Sequence, residues 1–354
     1  VEFVERFAGL EELGPAPGAT ALLRRAGVQL AAAISRVIPS PFGEVSAAML
    51  LGRGEDLPSN LSDDARRAGL SHTLVLSGFN ISKAVAFAAI AASLLPRTLR
   101  IFTAVLTGIT LAGISGFGAS AIRAAFGVAA AGFATWRFRR ADPATALLLA
   151  LLAMSWANPL ALAYSLSLQL SALATLGVVA FSERLALLPI IRAIPATAGL
   201  REAAASTLAA EILVAPLIAW KIGLLPVLGL PANVLAGPAV PVAMLAALVA
   251  APLGFLGFAP QPIAALLALP AQWFSAVASR TADFSFASIS AALTSAQAAL
   301  LLVLVTAAAL VAIVLERRER RLRDAPLIER LTAAIIETEK RPAVAGRRAQ
   351  IDIS

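Results

Sequence analysis

Cysteine is absent from the 354 residues, and histidine occurs once, as His72. The missing cysteine excludes disulfides and thiolate chemistry. Together the two scarcities exclude a zinc site of the usual His/Cys type built within this chain. Charge is also scarce. Asp, Glu, Lys and Arg make up 14% of the residues, against about 25% in soluble domains. No GxxxxGK[ST] phosphate cradle occurs, so the chain shows no ATPase of its own and any energy must come from a gradient or a partner. No Ser/His/Asp order comes with supporting features, which leaves hydrolysis a weak reading.

What fills the chain instead is apolar. Hydrophobic residues reach 59% and mean hydropathy is +0.84. Apolar windows of about 20 residues, the length that crosses a bilayer as a helix, recur along the chain. The expected fold is an all-α, polytopic transmembrane helical bundle. About nine spans are expected, near 73–95, 99–117, 119–136, 143–157, 163–182, 203–224, 233–257, 263–279 and 296–315. Several are short or interrupted by Gly and Pro. Pro231, Pro238 and Pro241 flank and interrupt the seventh, as a break, a re-entrant segment or a plain kink.

Three segments are expected. Residues 1–68 form an extracytoplasmic or interfacial segment, 69–316 the transmembrane domain and 317–354 a basic cytoplasmic tail. The first 18 residues are acidic and rich in Gly and Pro, unlike a cleavable signal peptide. From Thr20 to Ile38, Leu22, Leu23, Ala26, Leu30, Ala33, Ile34 and Val37 recur at helical spacing. They mark an amphipathic helix that either lies on the membrane surface or packs on the membrane domain. A second short helix is expected at 42–52. The tail holds a short amphipathic stretch from Leu327 to Ile336. Net charge is +8, and arginines gather at segment ends. Arg97 and Arg100, Arg137 to Arg140, Arg184 to Arg201, and Arg317 to Arg323 share one side if nine spans are counted. The positive-inside rule then places the C-terminus in the cytoplasm.

Polar groups inside the spans are the candidate functional residues. An ionisable side chain at mid-span costs about 2.5–3.5 kcal/mol on insertion scales, so it faces the bundle interior or a water path. Lys83 in the first span, Arg123 in the third and Glu211 in the sixth fit this description. A structural ion pair of Glu211 with Arg123 or Lys83 is the plainer alternative. Arg280 and Asp283, at a span end, either pair or snorkel. His72 stands at the head of the first span with Ser77, Asn80 and Ser82 on it, Gln169, Ser171 and Thr175 lie on the fifth, and Asn233 precedes the broken seventh. These uncharged groups serve either as a substrate path or as interhelical hydrogen-bond glue. His72 alone suits a bond to a helix-end backbone group equally well. The Ser77-Gly78 pair permits close approach of a helix or a ligand.

Ala68-Gly69-Leu70-Ser71-His72 followed by Leu76-Ser77-Gly78-Phe79-Asn80-Ile81 resembles the signature of the ComEC-type competence membrane domain, which reads GxxHLLAISGLHI. Further pieces match in order. Ser120-Ala121-Ile122-Arg123-Ala124 is similar to its S-x-x-R-A element, Asp142-Pro143 to D-P, and Asn158-Pro159-Leu160 to N-P-L. Gln169-Leu170-Ser171-Ala172-Leu173-Ala174-Thr175-Leu176-Gly177 is similar to F-Q-L-S-F-x-A-T-x-G without its Phe, since Leu168 stands there. Pro231-Ala232-Asn233-Val234-Leu235-Ala236 with Pro238 is similar to A-N-L-L-A-x-P. The likeness covers roughly residues 45–315.

The resemblance implies an inner-membrane channel that passes single-stranded DNA into the cytoplasm during natural transformation. It implies a lipid bilayer, and DNA-receptor, nuclease and cytoplasmic motor proteins, as partners, and no cofactor. His72, Ser77, Asn80, Lys83, Arg123, Gln169, Ser171, Glu211 and Asn233 would line the path. Cations there would attract the phosphates, with Glu211 tempering the field. Asn80 departs from the family by replacing a histidine. Neither the OB-like nor the metallo-β-lactamase-like domain of full-length members is expected: 68 residues precede the first span, and one histidine cannot make an H-x-H-x-D-H cluster. The chain is therefore expected to be no enzyme. A transporter of small or lipid-linked molecules, or a non-transporting scaffold, would use the same helical frame.

Overall fold

A computed structural model describes residues 18–74, 78–116, 119–137, 143–157, 160–195, 199–291 and 293–315. The expected N-terminal helix is α1, Ala19–Val37, and the short one after it is α2, Phe42–Leu51. A 3-10 turn at Gly54–Asp56 leads to α3, Ser59–Arg67, and then α4, Ser71–Leu74. The apolar segments follow as α5 (Gly78–Ala91), α6 (Arg97–Ile114), α7 (Ala119–Trp136) and α8 (Pro143–Ala157). Next come α9 (Ala161–Tyr164), α10 (Leu166–Leu185), α11 (Pro189–Arg192) and α12 (Leu200–Lys221). Strand β1, Leu224–Pro226, precedes α13 (Gly229–Ala236), α14 (Ala239–Phe255), α15 (Gln261–Ala282) and β2, Ser288–Ser290. The last helix, α16, spans Ser295–Leu315.

The protein is thus an all-α bundle, with one antiparallel ribbon pairing Leu224 with Ser290 and Pro226 with Ser288. Five helices are long and apolar enough to cross a bilayer: α6, α10, α12, α15 and α16. The bent pair α13 and α14 makes a sixth. The apolar stretches Asn80–Ala91, Ala121–Trp136 and Thr145–Trp156 are shorter. Two expected limits shift. The first span is helical over Ser71–Leu74 and again over Gly78–Ala91, ending before residue 95. The fifth is split at Ser165, whose hydroxyl accepts from the Leu168 N–H at 3.3 Å and so starts α10 as an N-cap.

The core lies where α1, α2 and α3 meet α5, α6, α14 and α15. Ile34, Val37, Ile38, Met49, Leu51, Leu70, Met244 and Phe274 are all buried there. Of the two positions open to the amphipathic helix, α1 packs on the helical bundle. Its Ala33 carbonyl faces Gly254 of α14 so closely that a side-chain carbon on residue 254 would overlap it. Eight of ten residues of α2 are buried, so this short helix is a core element. A second cluster, Ile191, Ala204 and Ala205, seats α11 on α12.

Proline explains the seventh segment. The α13–α14 pair bends by 44° at Gly237-Pro238. Pro238 has no N–H to continue the ladder. Near the break, the Leu235 carbonyl accepts the Trp273 indole N–H from α15 at 2.9 Å. A neighbouring helix thus satisfies backbone that lipid could not.

The loops sort into two groups. The Arg97 guanidinium, at the start of α6, donates to the Thr135 carbonyl at the end of α7. Arg201 donates to the Arg192 carbonyl at 2.9 Å and to Ile194, holding the α11–α12 turn. At the far end of α12, β1 pairs with β2, and Pro226 meets Gly69 ahead of α4. The chain divides into units 1–306 and 307–354 within α16, and the second is described only as its helical residues 307–315. The expected stretch Leu327 to Ile336 lies outside the described residues.

Candidate functional site

The polar residues gather in two places. The first centres on the carbonyl of Gly69. This glycine has φ +74°, and a side-chain carbon on it would sit 2.9 Å from Pro226 Cβ and 3.1 Å from Gly229 Cα. Only a residue without Cβ allows the α3–α4 turn, β1 and the start of α13 to touch there. His72 Nδ1 lies 3.1 Å from the Gly69 carbonyl oxygen. A carbonyl only accepts, so Nδ1 carries the proton and donates, leaving Nε2 as an acceptor. Asn233 Nδ2 donates to the Gly229 carbonyl at 2.9 Å and approaches Gly69 oxygen at 3.5 Å. The His72 and Asn233 motifs, 161 positions apart in sequence, therefore meet on one backbone oxygen.

The same side-chain capping continues into the first span. Thr73 Oγ1 donates to the Leu70 carbonyl at 2.7 Å, and Asn80 Nδ2 donates to the Thr73 carbonyl at 3.0 Å. Asn80 is fully buried. It ties α5 to the backbone of α4. Ser77 lies outside the described residues. Lys83 sits half-buried on α5.

Glu211 belongs to this first group, which its sequence position did not reveal. Its Oε1 lies 2.9 Å from where a side-chain carbon of Gly229 would stand. The carboxyl group thus rests against Gly229, the first residue of α13. The ion pair weighed for it with Arg123 or Lys83 does not form; neither cation bonds to Glu211 among the described residues. Arg280 and Asp283 also remain unpaired with each other.

The second group joins α7 to α10. Arg123 Nε donates to Ser171 Oγ at 2.6 Å. Thr175 Oγ1 donates to the Ser171 carbonyl at 2.9 Å. No carboxylate faces Arg123 among the described residues. Gln169 points back instead, donating from Nε2 to the Ala163 carbonyl at 2.9 Å and closing the α9–α10 corner. One step along α10, Gly177 packs against α12 with 3.1 Å between its potential Cβ and the Ala209 carbonyl carbon. Gly69, Pro226, Gly229 and Ala209 were not among the candidates. Their signal was a glycine or small residue beside each polar motif.

Two cavities are described, and none of the nine candidates lines either. One of about 250 Å³ includes Ser35, Glu44, Arg53 and Asp56 between α1 and α2. The other, about 470 Å³, is lined by Asp63, Arg66, Arg67, Ile222 and Leu224. No group of three His, Cys, Asp or Glu suited to a metal occurs among the described residues.

The fold and these intramembrane polar groups define a polytopic helical membrane protein whose conspicuous side chains secure breaks and crossings between helices. The family model described as Competence protein matches residues 49–318, so the chain belongs to that family. Membership gives it a role in competence, the uptake of DNA. No curated protein and no solved structure matches it significantly.

Proposed function

We propose that this protein is the membrane channel that passes single-stranded DNA across the bacterial inner membrane. The observation that carries the reading is Arg123. A guanidinium within a membrane helix costs about 2.5–3.5 kcal/mol on insertion scales, and a structural role would normally offset that with a carboxylate. Here the partner is a neutral hydroxyl, Ser171, on a neighbouring helix. A cation left uncompensated inside a bundle suits a passing polyanion, because phosphates attract it without a competing fixed anion. Glu211, Lys83 and the amides at Gly69 and Asn233 would complete a wet path.

On this reading the protein does no chemistry itself. A receptor delivers the strand, a separate nuclease removes its complement, and a cytoplasmic motor pulls. The grouping of Arg97 with the end of α7, and of Arg192 with Arg201, supports a cytoplasmic side at those loops. The C-terminus would lie on that side as well.

Transformation frequency tests the assignment. Arg123→Ala is expected to abolish transformation at unchanged membrane abundance, and Arg123→Lys to restore part of it. Normal transformation by Arg123→Ala would remove Arg123 from the path. A small-molecule transporter would instead leave DNA uptake intact in every such variant.

A further inference from the structure

Resting on the DNA-uptake reading, we infer that the groove between α3 and the α12–β1 junction is the docking site where the incoming strand's phosphates first bind. The groove holds about 470 Å³ and is lined by Arg66, Arg67, Asp63, Ile222 and Leu224, a volume within the about 300–1,000 Å³ of small-molecule sites. Its charge is unbalanced. Arg66 is paired with Asp63 one turn back. Arg67 is exposed and has no partner among the described residues. One guanidinium is thus fully available, and a second is held by a surface ion pair of the kind worth about 0–1 kcal/mol, which a phosphate displaces readily. The opposite wall is apolar, Ile222 and Leu224, and suits the sugar and base faces of a nucleotide.

The surroundings favour the same ligand. Lys221, directly before Ile222, places Nζ 3.8 Å from the centre of the Trp220 ring. A basic and aromatic pair therefore caps the helix that forms the groove's wall. Clusters of cations beside aromatic rings are what non-specific single-strand binders use. The groove also leads inward. Leu224 starts the strand that ends at Pro226, and Pro226 touches Gly69 and lies 3.6 Å from the potential Cβ of Gly229, the residue beside Glu211. Leu224 in the groove wall and Pro226 against Gly69 are two positions apart on β1. Lipid phosphate is the competing occupant for arginines at a membrane surface.

Binding of a fluorescent oligothymidine to the purified full chain in phosphatidylcholine nanodiscs decides the matter. Wild-type protein should bind with a salt-dependent affinity. Arg67→Ala should flatten the slope of log affinity against log salt by about 0.7, and the Arg66→Ala, Arg67→Ala double variant by about 1.4. Arg67→Lys should keep the wild-type slope. Wild-type binding with unchanged slopes in both alanine variants would overturn the groove assignment while leaving the channel reading in place. Absence of wild-type binding would sink both. Loss of co-purifying anionic lipid in the alanine variants, with oligothymidine binding unaltered, would identify a lipid site and overturn the proposal.

Discussion

Asn80 illustrates how a position that departs from the family signature can still carry a structural hydrogen bond. The family signature has histidine there, and the sequence places an amide where polar groups are expensive. The structure explains the amide. Its N–H, on α5, donates to the Thr73 carbonyl of α4 in full burial. An unsatisfied buried carbonyl costs about 1–3 kcal/mol. Asn80→Ala should therefore lower stability by about that much, read as a fall in melting temperature in detergent or nanodiscs. An unchanged melting temperature would show that the carbonyl finds another donor. His72 follows the same logic, with Nδ1 committed to Gly69 and Nε2 left over. The residue types and motifs at these positions were legible in the sequence. Their partners were not, because a backbone oxygen such as that of Gly69 carries no residue-type signal.

At the scale of elements, close helix crossings decide the architecture. Lipid offers no hydrophobic drive between helices, so packing depends on small residues that let backbones approach. Gly177 of α10 lies against the Ala209 carbonyl of α12, whereas Gly127 of α7 has nothing within 4 Å of its potential Cβ. The same substitution should then have opposite signs. Gly177→Ala forces α10 and α12 apart at a cost of about 1–3 kcal/mol, while Gly127→Ala should be neutral or stabilise by about 0.5–1 kcal/mol through helix propensity. Thermal unfolding of the two variants side by side checks this, and similar shifts would refute the close crossing. Helix positions were readable because apolar windows and Gly-Pro breaks are local features. The α13–α14 break at Pro238 was visible in this way. The carboxylate of Glu211 against Gly229 was not, because the chain folds back through β1 to bring them together. A three-residue strand leaves too short a pattern to find.

For the whole molecule, the two sets of loops make orientation a measurable quantity. Basic residues at Arg97, Arg137, Arg184, Arg192 and Arg201 belong to the turns joining α5 to α6, α7 to α8 and α10 to α12. The α3–α4 turn, β1, β2 and the 470 Å³ groove mix both signs, with Asp63 beside Arg66 and Arg67. Positive charge resists translocation, so the first set should face the cytoplasm. The absence of cysteine makes the test clean, since an introduced thiol is the sole target. Leu187, between α10 and α11, and Ser290, in β2, are both exposed. A membrane-impermeant maleimide applied to intact spheroplasts should label Ser290→Cys at once. Leu187→Cys should react only after permeabilisation. The reverse pattern would invert the protein and turn the groove toward the cytoplasm, where it would meet the strand leaving the channel. Labelling of both without permeabilisation would mean that an odd number of helices between them fails to cross. The shorter apolar stretches Ala121–Trp136 and Thr145–Trp156 precede Leu187 and would not alter that result, so the count between the two sites rests on α12, the bent α13–α14 pair and α15. Three crossings separate opposite sides, and the pairing of β1 with β2, which bracket the bent pair and α15, fits a bent pair that crosses the bilayer.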